Sequence, residues 1–181
     1  MTAPLICIVG ESGVGKTTLV KFVLQNLPHV RYLKYLTTRQ PRSLKERFFS
    51  FEYSFCTDKK YQKLKKESEN WEELKAGGCF YGVQIDVVDQ LREKGIPFLS
   101  TMLPQRSSLE SRLEVYRDPV KFIYLQASEE ILRQRGLSKE RASRRFNTLH
   151  ELSDLIDVTF VQSGNLKRDL GECAKEILQL C

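Results

Sequence analysis

With 181 residues, 41% hydrophobic and 29% charged, the chain is long enough for about one domain with a real core, and its composition is that of a soluble globular protein. No apolar run approaches the roughly 18 residues of a membrane span, no basic-then-apolar leader opens the sequence, and five scattered cysteines without a C-x-x-C pair argue against a disulfide frame or zinc site and for a reducing compartment. The net charge of +6 is spread along the chain and accompanies no RNP or zinc-finger pattern, which favours a site that gathers anionic nucleotides over a nucleic-acid partner.

The first apolar run, Leu5 to Val9, reads as a strand buried on both faces of a parallel sheet. It leads into Gly10-Glu11-Ser12-Gly13-Val14-Gly15-Lys16-Thr17, which fits G-x-x-x-x-G-K-[ST], with Thr18 following. The glycines allow backbone N–H groups to converge on an anion at a positive helix N-terminus. In this motif Lys16 reaches the β- and γ-phosphates of a nucleoside triphosphate, and the Thr17 hydroxyl ligates Mg²⁺. Lys16 to Leu27 has helical spacing and stops at Pro28. Val30 to Thr37 alternates as a second strand, and Pro41 makes Thr37 to Arg42 a loop.

Residues 43 to 82 are of another kind. Phe48, Phe49, Phe51, Tyr53 and Phe55 predict short antiparallel strands, and Thr57 to Lys75 predicts a charge-rich helix around Tyr61, Leu64 and Trp71 whose lysines form a solvated face. Gly77-Gly78 and Gly82 mark a turn and a close backbone approach. The α/β rhythm then resumes: a helix from Val83 to Lys94, a strand from Pro97 to Met102, a helix from Ser108 to Tyr116 and a strand from Lys121 to Gln126. Ser128 caps a helix through Arg133, and Ser138 caps one containing Ala142, Phe146, Leu149 and Leu152. A strand at Val158 to Gln162 and a helix from Leu166 to Leu180 close the chain, with Cys7 and Cys173 as core residues. The expected fold is α/β: a P-loop NTPase-type, doubly wound, mainly parallel sheet flanked by helices.

Phosphoryl transfer between two anions needs cations on both sides of the transferred group. Arg39 and Arg42, three apart in a Pro-containing loop, suit bidentate binding of a second phosphate. The order Gly10-x-Ser12-Gly13-x-Gly15-Lys16-Thr17, Thr37-Thr38-Arg39-x-Pro41-Arg42, Tyr53-Ser54-Phe55, Phe80-Tyr81-Gly82 and Arg133-Gln134-Arg135-Gly136 resembles the guanylate kinase family over essentially the whole chain.

The resemblance implies a cytoplasmic kinase that transfers the γ-phosphoryl of ATP, with Mg²⁺, to GMP or a related nucleotide, without a membrane or nucleic-acid partner. It divides the chain into a core (1–37 and 83–181), an acceptor-binding insertion (38–82) and a short lid (about 133–145). It places Arg39, Arg42, Tyr53 and Tyr81 on the acceptor phosphate and Glu72 on the guanine, and it makes Arg135 and Arg145 lid arginines that neutralise the transferring group. Arg39 and Arg42 join Lys16, Arg135 and Arg145 as catalytic candidates. The departures are specific. Thr101 and Leu103 stand at the family's two strand aspartates, Val83 at a base-reading hydroxyl and Tyr35 at a small serine. Loss of polar readout lowers base discrimination, so two other readings stay open here: a kinase for another phosphorylated acceptor, and a non-catalytic binding module. With the strand aspartate gone, Mg²⁺ is expected on Thr17, waters and phosphates, with Ser100 or Thr101 holding a water.

Overall fold

A computed structural model describes residues 2–136 and 148–181. The chain opens with β1 (Leu5–Val9), the glycine-rich loop and α1 (Lys16–Asn26). Then come β2 (Arg31–Tyr32), β3 (Tyr35–Thr37), α2 (Leu44–Phe49), β4 (Tyr53–Phe55), α3 (Asp58–Glu67), β5 (Trp71–Ala76) and β6 (Cys79–Gln84). The alternation resumes with α4 (Ile85–Glu93), β7 (Phe98–Met102), α5 (Arg106–Val115), β8 (Val120–Gln126) and α6 (Glu129–Gln134). Finally α7 (Thr148–Leu152), β9 (Val158–Val161) and α8 (Leu166–Leu180) complete the described chain.

The strands β2-β7-β1-β8-β9 form one parallel sheet with β1 at its centre. Every residue of β1 is buried, as a strand covered by helices on both faces requires. The two-residue period sorts its side chains. Ile6 and Ile8 pack with Leu19, Val20 and Val23 of α1 and with Cys173 and Ile177 of α8, while Leu5, Cys7 and Val9 pack with Phe98, Leu109, Phe122 and Tyr124. Each fully buried aliphatic side chain contributes about 1.5–3 kcal/mol. This is the expected α/β architecture, with the loop after β1 at the carboxyl end of the sheet.

A second, mixed sheet has the order β4-β3-β6-β5, and several elements here differ from the sequence expectation. The single strand expected over Val30 to Thr37 is two strands in different sheets. The Leu33 N–H bonds the Leu99 carbonyl on the parallel sheet, and the Tyr35 N–H turns to the Glu52 carbonyl. Phe48 and Phe49 lie in a helix, α2, not in a strand, and are 71% and 79% exposed. The Ser43 hydroxyl accepts from the Glu46 N–H, and this Ser-x-x-Glu start is the helix signal that the aromatic run masked. Because α2 intervenes, β4 pairs with β3 in parallel rather than antiparallel fashion.

The helix expected to Lys75 ends at Glu67, and Trp71 opens β5, which pairs antiparallel with β6. Gly77 and Gly78, at φ 57° and 74°, make the two-residue turn between them. Consequently Val83 and Gln84 belong to β6, and the next helix starts only at Ile85. The lysines Lys59, Lys60, Lys63 and Lys66 are exposed, as expected. The Ser138 cap, Ala142, Phe146 and the second lid arginine, Arg145, lie outside the described residues.

Candidate functional site

The glycine-rich loop joins the central strand to α1. Gly13 and Gly15 have φ of 85° and 105°, a region that side-chain-bearing residues rarely adopt. Gly15 is the N-cap of α1 and offers no side chain to it, so the first helical N–H groups face the loop without a side-chain cap. The Lys16 ammonium folds back over the loop, donating to the carbonyls of Gly10 (2.6 Å) and Glu11 (2.9 Å). Thr17 and Thr18 are exposed at the start of the helix. The Thr17 hydroxyl donates to Glu52 Oε1 at 3.4 Å, a link from the second sheet's approach to the phosphate loop that no motif announced.

Beside this loop lies a cavity of about 290 Å³ whose walls include Gly13, Val14, Gly15, Thr18, Arg135, Phe160, Gln162 and Leu166. The Val14 carbonyl accepts from Arg135 Nη1 (2.8 Å) and Gln162 Nε2 (2.7 Å). Arg135 is therefore next to the phosphate loop, and Gln162, at the end of β9, is a neighbour that sequence reasoning missed. Asp169 fixes the connection into α8: burial opposes its charge, but bonds from Ser163 and Gly164 hold its carboxyl below the ordinary range.

The second candidate region is a cavity of about 650 Å³ between the second sheet, the end of β7 and α5, lined among others by Tyr35, Tyr53, Glu72, Tyr81, Leu103 and Arg112. At its edge Arg39 pairs with both oxygens of Glu46 (2.7 and 3.3 Å), and its guanidinium lies 5.3 Å from the ring centres of both Tyr53 and Phe55. The Arg42 N–H also bonds Glu46. The Arg39 guanidinium, assisted by that N–H, holds the Glu46 carboxyl below its ordinary range. The Arg42 side chain is exposed. Tyr53 and Tyr81 meet edge to face at 5.8 Å. The fold thus gathers Arg39, Arg42, Tyr53 and Tyr81, with Glu46 as the carboxylate between the arginines.

Glu72 sits deeper, on β5. Its Oε2 accepts from Arg112 Nη1 (2.8 Å), the Tyr116 hydroxyl (2.7 Å) and the Tyr35 hydroxyl (3.2 Å), and Arg112 Nη2 also donates to the Tyr35 oxygen. Burial opposes the charge on Arg112, yet the surrounding oxygens of Tyr35, Glu72 and Tyr116 raise its pKa above the ordinary arginine value. Burial raises both tyrosines well above the ordinary phenol range, which keeps them protonated donors. Tyr35, bulky at a position expected to be a small serine, is thus part of a polar cluster. Arg112 carried no motif. Its helical offset of four from Tyr116 was the only local sign that the two share a face.

Of the two hydroxyls expected to hold a water near the missing strand aspartate, Ser100 is buried, whereas Thr101 is half-buried and lines the second cavity. Ser100 is 1% exposed, and its Oγ has no hydrogen-bond partner among the described residues. Strand alternation turns it towards the packed face that holds Cys7. The Thr101 hydroxyl instead meets the Tyr32 hydroxyl at 2.9 Å, and burial pushes the Tyr32 phenol up to about 12.

Comparison with known proteins follows the same lines. A family model described as an AAA domain matches residues 1–165. A guanylate kinase from Prochlorococcus marinus subsp. pastoris is 28% identical over 97% of this chain and 95% of its own. One from Trichormus variabilis is 32% identical over 89% of this chain and 81% of its own. The crystal structure of guanylate kinase from Anaplasma phagocytophilum superposes with a TM-score of 0.64 at 21% identity, covering 97% of this chain and 82% of that one, and so shares its fold. With its phosphate loop at the carboxyl end of a parallel sheet and a paired-arginine loop beside a second cavity, this AAA-domain chain belongs to the guanylate kinase family.

Proposed function

We propose that the chain is an ATP-dependent nucleoside monophosphate kinase that converts ATP and GMP to ADP and GDP. The observation that carries this reading is the pairing of two anion sites: a phosphate loop ending in Lys16 and Thr17, and an arginine loop (Arg39, Arg42) on the second sheet, joined by the Thr17–Glu52 hydrogen bond. The names of the relatives support GMP as acceptor.

Gly10 to Thr18 cradle the triphosphate through backbone N–H groups, and Lys16 exchanges the loop carbonyls for phosphate oxygens. Arg39, Arg42, Tyr53 and Tyr81 hold the acceptor phosphate, with Glu46 poised to release Arg39 as an anion arrives. Glu72 reads the base. An ionised oxygen of the GMP phosphate attacks the γ-phosphorus, and the bond from that phosphorus to the β–γ bridging oxygen breaks to leave ADP. The protein needs to move no proton for this step, so its contribution is positioning and charge. Arg135, and Arg145 with it, offset the charge spread over the transferring group. In this reading the acceptor-binding unit is the insertion 38–82 together with the flanking second-sheet residues Tyr35–Thr37 and Val83–Gln84, the rest of the chain is the core, and the lid is about 133–145, in one catalytic unit.

The residues present suit Mg²⁺: the Thr17 hydroxyl and the Glu52 carboxylate are hard oxygen donors 3.4 Å apart at the exposed start of α1. Among the described residues no group of three His, Cys, Asp or Glu side chains gathers to hold a metal, so triphosphate oxygens and waters complete the set. When bound, the ion neutralises the β- and γ-phosphate charge. A cytoplasmic setting is part of the proposal, supported by five cysteines that form no disulfide. Among the described residues no helix is long and apolar enough to cross a membrane.

The test is ADP release from Mg·ATP against a panel of nucleoside monophosphates. GMP is expected to turn over fastest, and Lys16→Ala is expected to lower kcat by on the order of 100- to 1,000-fold or more while the protein stays folded. Unchanged turnover in that variant overturns the reading.

A further inference from the structure

We propose that Arg112 is a specificity-determining residue of the acceptor cavity: its guanidinium, beside the Glu72 carboxylate that it holds, presents a donor next to an acceptor to the base of the incoming nucleotide, and the pair selects guanine. The inference rests on the kinase reading above and adds a residue that lies in none of the motifs that carry the family resemblance.

Polar groups are missing where the resemblance expects them, at Val83, which is buried in the apolar core, and at Leu103, which lines the cavity, and Tyr35 stands in place of a serine. Arg112, from α5, restores polarity from the opposite wall. It is 5% exposed, and both it and Glu72 line the cavity. The bonds of Arg112, Tyr35 and Tyr116 to Glu72 all fall on Oε2, and among the described residues no hydrogen bond reaches Oε1. A guanidinium carries five N–H donors, of which one goes to Glu72 and one to Tyr35. The wall therefore has an acceptor oxygen and cationic N–H donors side by side, locked by two tyrosines. As a tie between α5 and β5 alone, a buried ion pair is a poor device, because well-packed apolar side chains of similar volume are often at least as stable.

The complementary base edge carries an acceptor next to donors. Guanine has the O6 acceptor, then N1–H and the N2 amino group. Adenine has an amino group at position 6, a lone pair at N1 and no amino group at position 2. Guanine directs O6 to Arg112 and N1–H to Glu72. Adenine would set its amino group against the guanidinium and its N1 lone pair against the carboxylate, which leaves both buried charges unmatched. Hypoxanthine shares O6 and N1–H with guanine, so dependence on Arg112 should extend to IMP.

The experiment compares wild-type protein with Arg112→Met, with Glu72→Gln and with the double variant Arg112→Met/Glu72→Gln, which leaves no uncompensated buried carboxylate. ADP release is measured with GMP, IMP and AMP, alongside the KM for ATP and thermal unfolding. In Arg112→Met the KM for GMP and for IMP is expected to rise on the order of 10- to 100-fold, the loss of one charge-assisted hydrogen bond, while AMP use and the KM for ATP stay within about twofold, inside the context dependence of one such bond. Where Arg112→Met does not fold, the double variant is read against Glu72→Gln alone, so that the loss of the carboxylate cancels, and its GMP-to-AMP ratio is expected to fall by a further factor on the order of 10. A folded Arg112→Met that keeps the wild-type GMP-to-AMP ratio, or a double variant that keeps the ratio of Glu72→Gln, overturns the role of Arg112 alone. Wild-type protein that transfers to no nucleoside monophosphate overturns the kinase reading, and this inference with it.

Discussion

Gly82 shows how one residue can tie packing to the acceptor site. It sits in β6 opposite Leu36 and Glu73, directly after Tyr81, a proposed phosphate ligand. A Cβ built there would lie 2.3 Å from Trp71 Cζ2 and 2.5 Å from the Tyr61 oxygen. Trp71 cannot yield freely, because its Nε1 donates to that same Tyr61 oxygen and its ring meets Tyr61 edge to face. Gly82→Ala is therefore expected to destabilise by about 1–3 kcal/mol through overpacking and to weaken GMP binding more than ATP binding. Denaturant midpoints and calorimetric titration with each nucleotide check both parts. Residues of the phosphate loop were legible because their chemistry depends on neighbours in sequence: glycines, a lysine and a threonine at fixed spacing. Glu52, Gln162 and Arg112 were not, because each acts on a partner 35 or more positions away.

At the level of elements, helix and strand ends were decided by caps and pairings more than by hydrophobic pattern. Ser43, Thr57 and Ser128 cap α2, α3 and α6 through their hydroxyls. Aromatic residues along α2 nevertheless mimicked a strand, because a short apolar run has no periodicity to separate the two. A different bond holds α4 in place. Arg92 is fully buried, bonds the carboxylate of Asp89 at 2.7 Å, and donates to the carbonyls of Ala3 and Pro119. It thereby ties α4 to the entrances of both β1 and β8. Arg92→Met is expected to cost about 3–5 kcal/mol, since Asp89 and two carbonyls lose a partner at once. Equilibrium unfolding in urea reads this directly. A cost below about 1 kcal/mol, the level of an exposed pair, would show the tie to be dispensable. In sequence this arginine was one of the charges of a helix end, and nothing local distinguished it from a solvated one.

In the whole molecule, the proposed function divides the labour between two sheets: the parallel one carries the phosphate loop at its centre, and the mixed one carries the residues proposed to hold the acceptor. Their separate hydrogen-bond ladders predict separate responses to ligand. Hydrogen exchange with GMP alone is expected to slow amides chiefly between Tyr35 and Gln84, and with ATP alone chiefly from Gly10 to Val20. Equal protection of both regions by either nucleotide would contradict the division. The amino-acid sequence by itself determined the parallel α/β core, the phosphate loop and the paired-arginine loop, because hydrophobic period, glycine positions and motif spacing are local properties of a chain. Only the tertiary structure decided that Val30 to Thr37 splits between two sheets, that Glu52 reaches Thr17, and that Tyr35 joins Arg112 and Glu72 in a polar wall. Those outcomes depend on which distant segments share a hydrogen-bond ladder or a buried charge, and the energy of such pairings appears only once the backbone has brought them within a few ångströms.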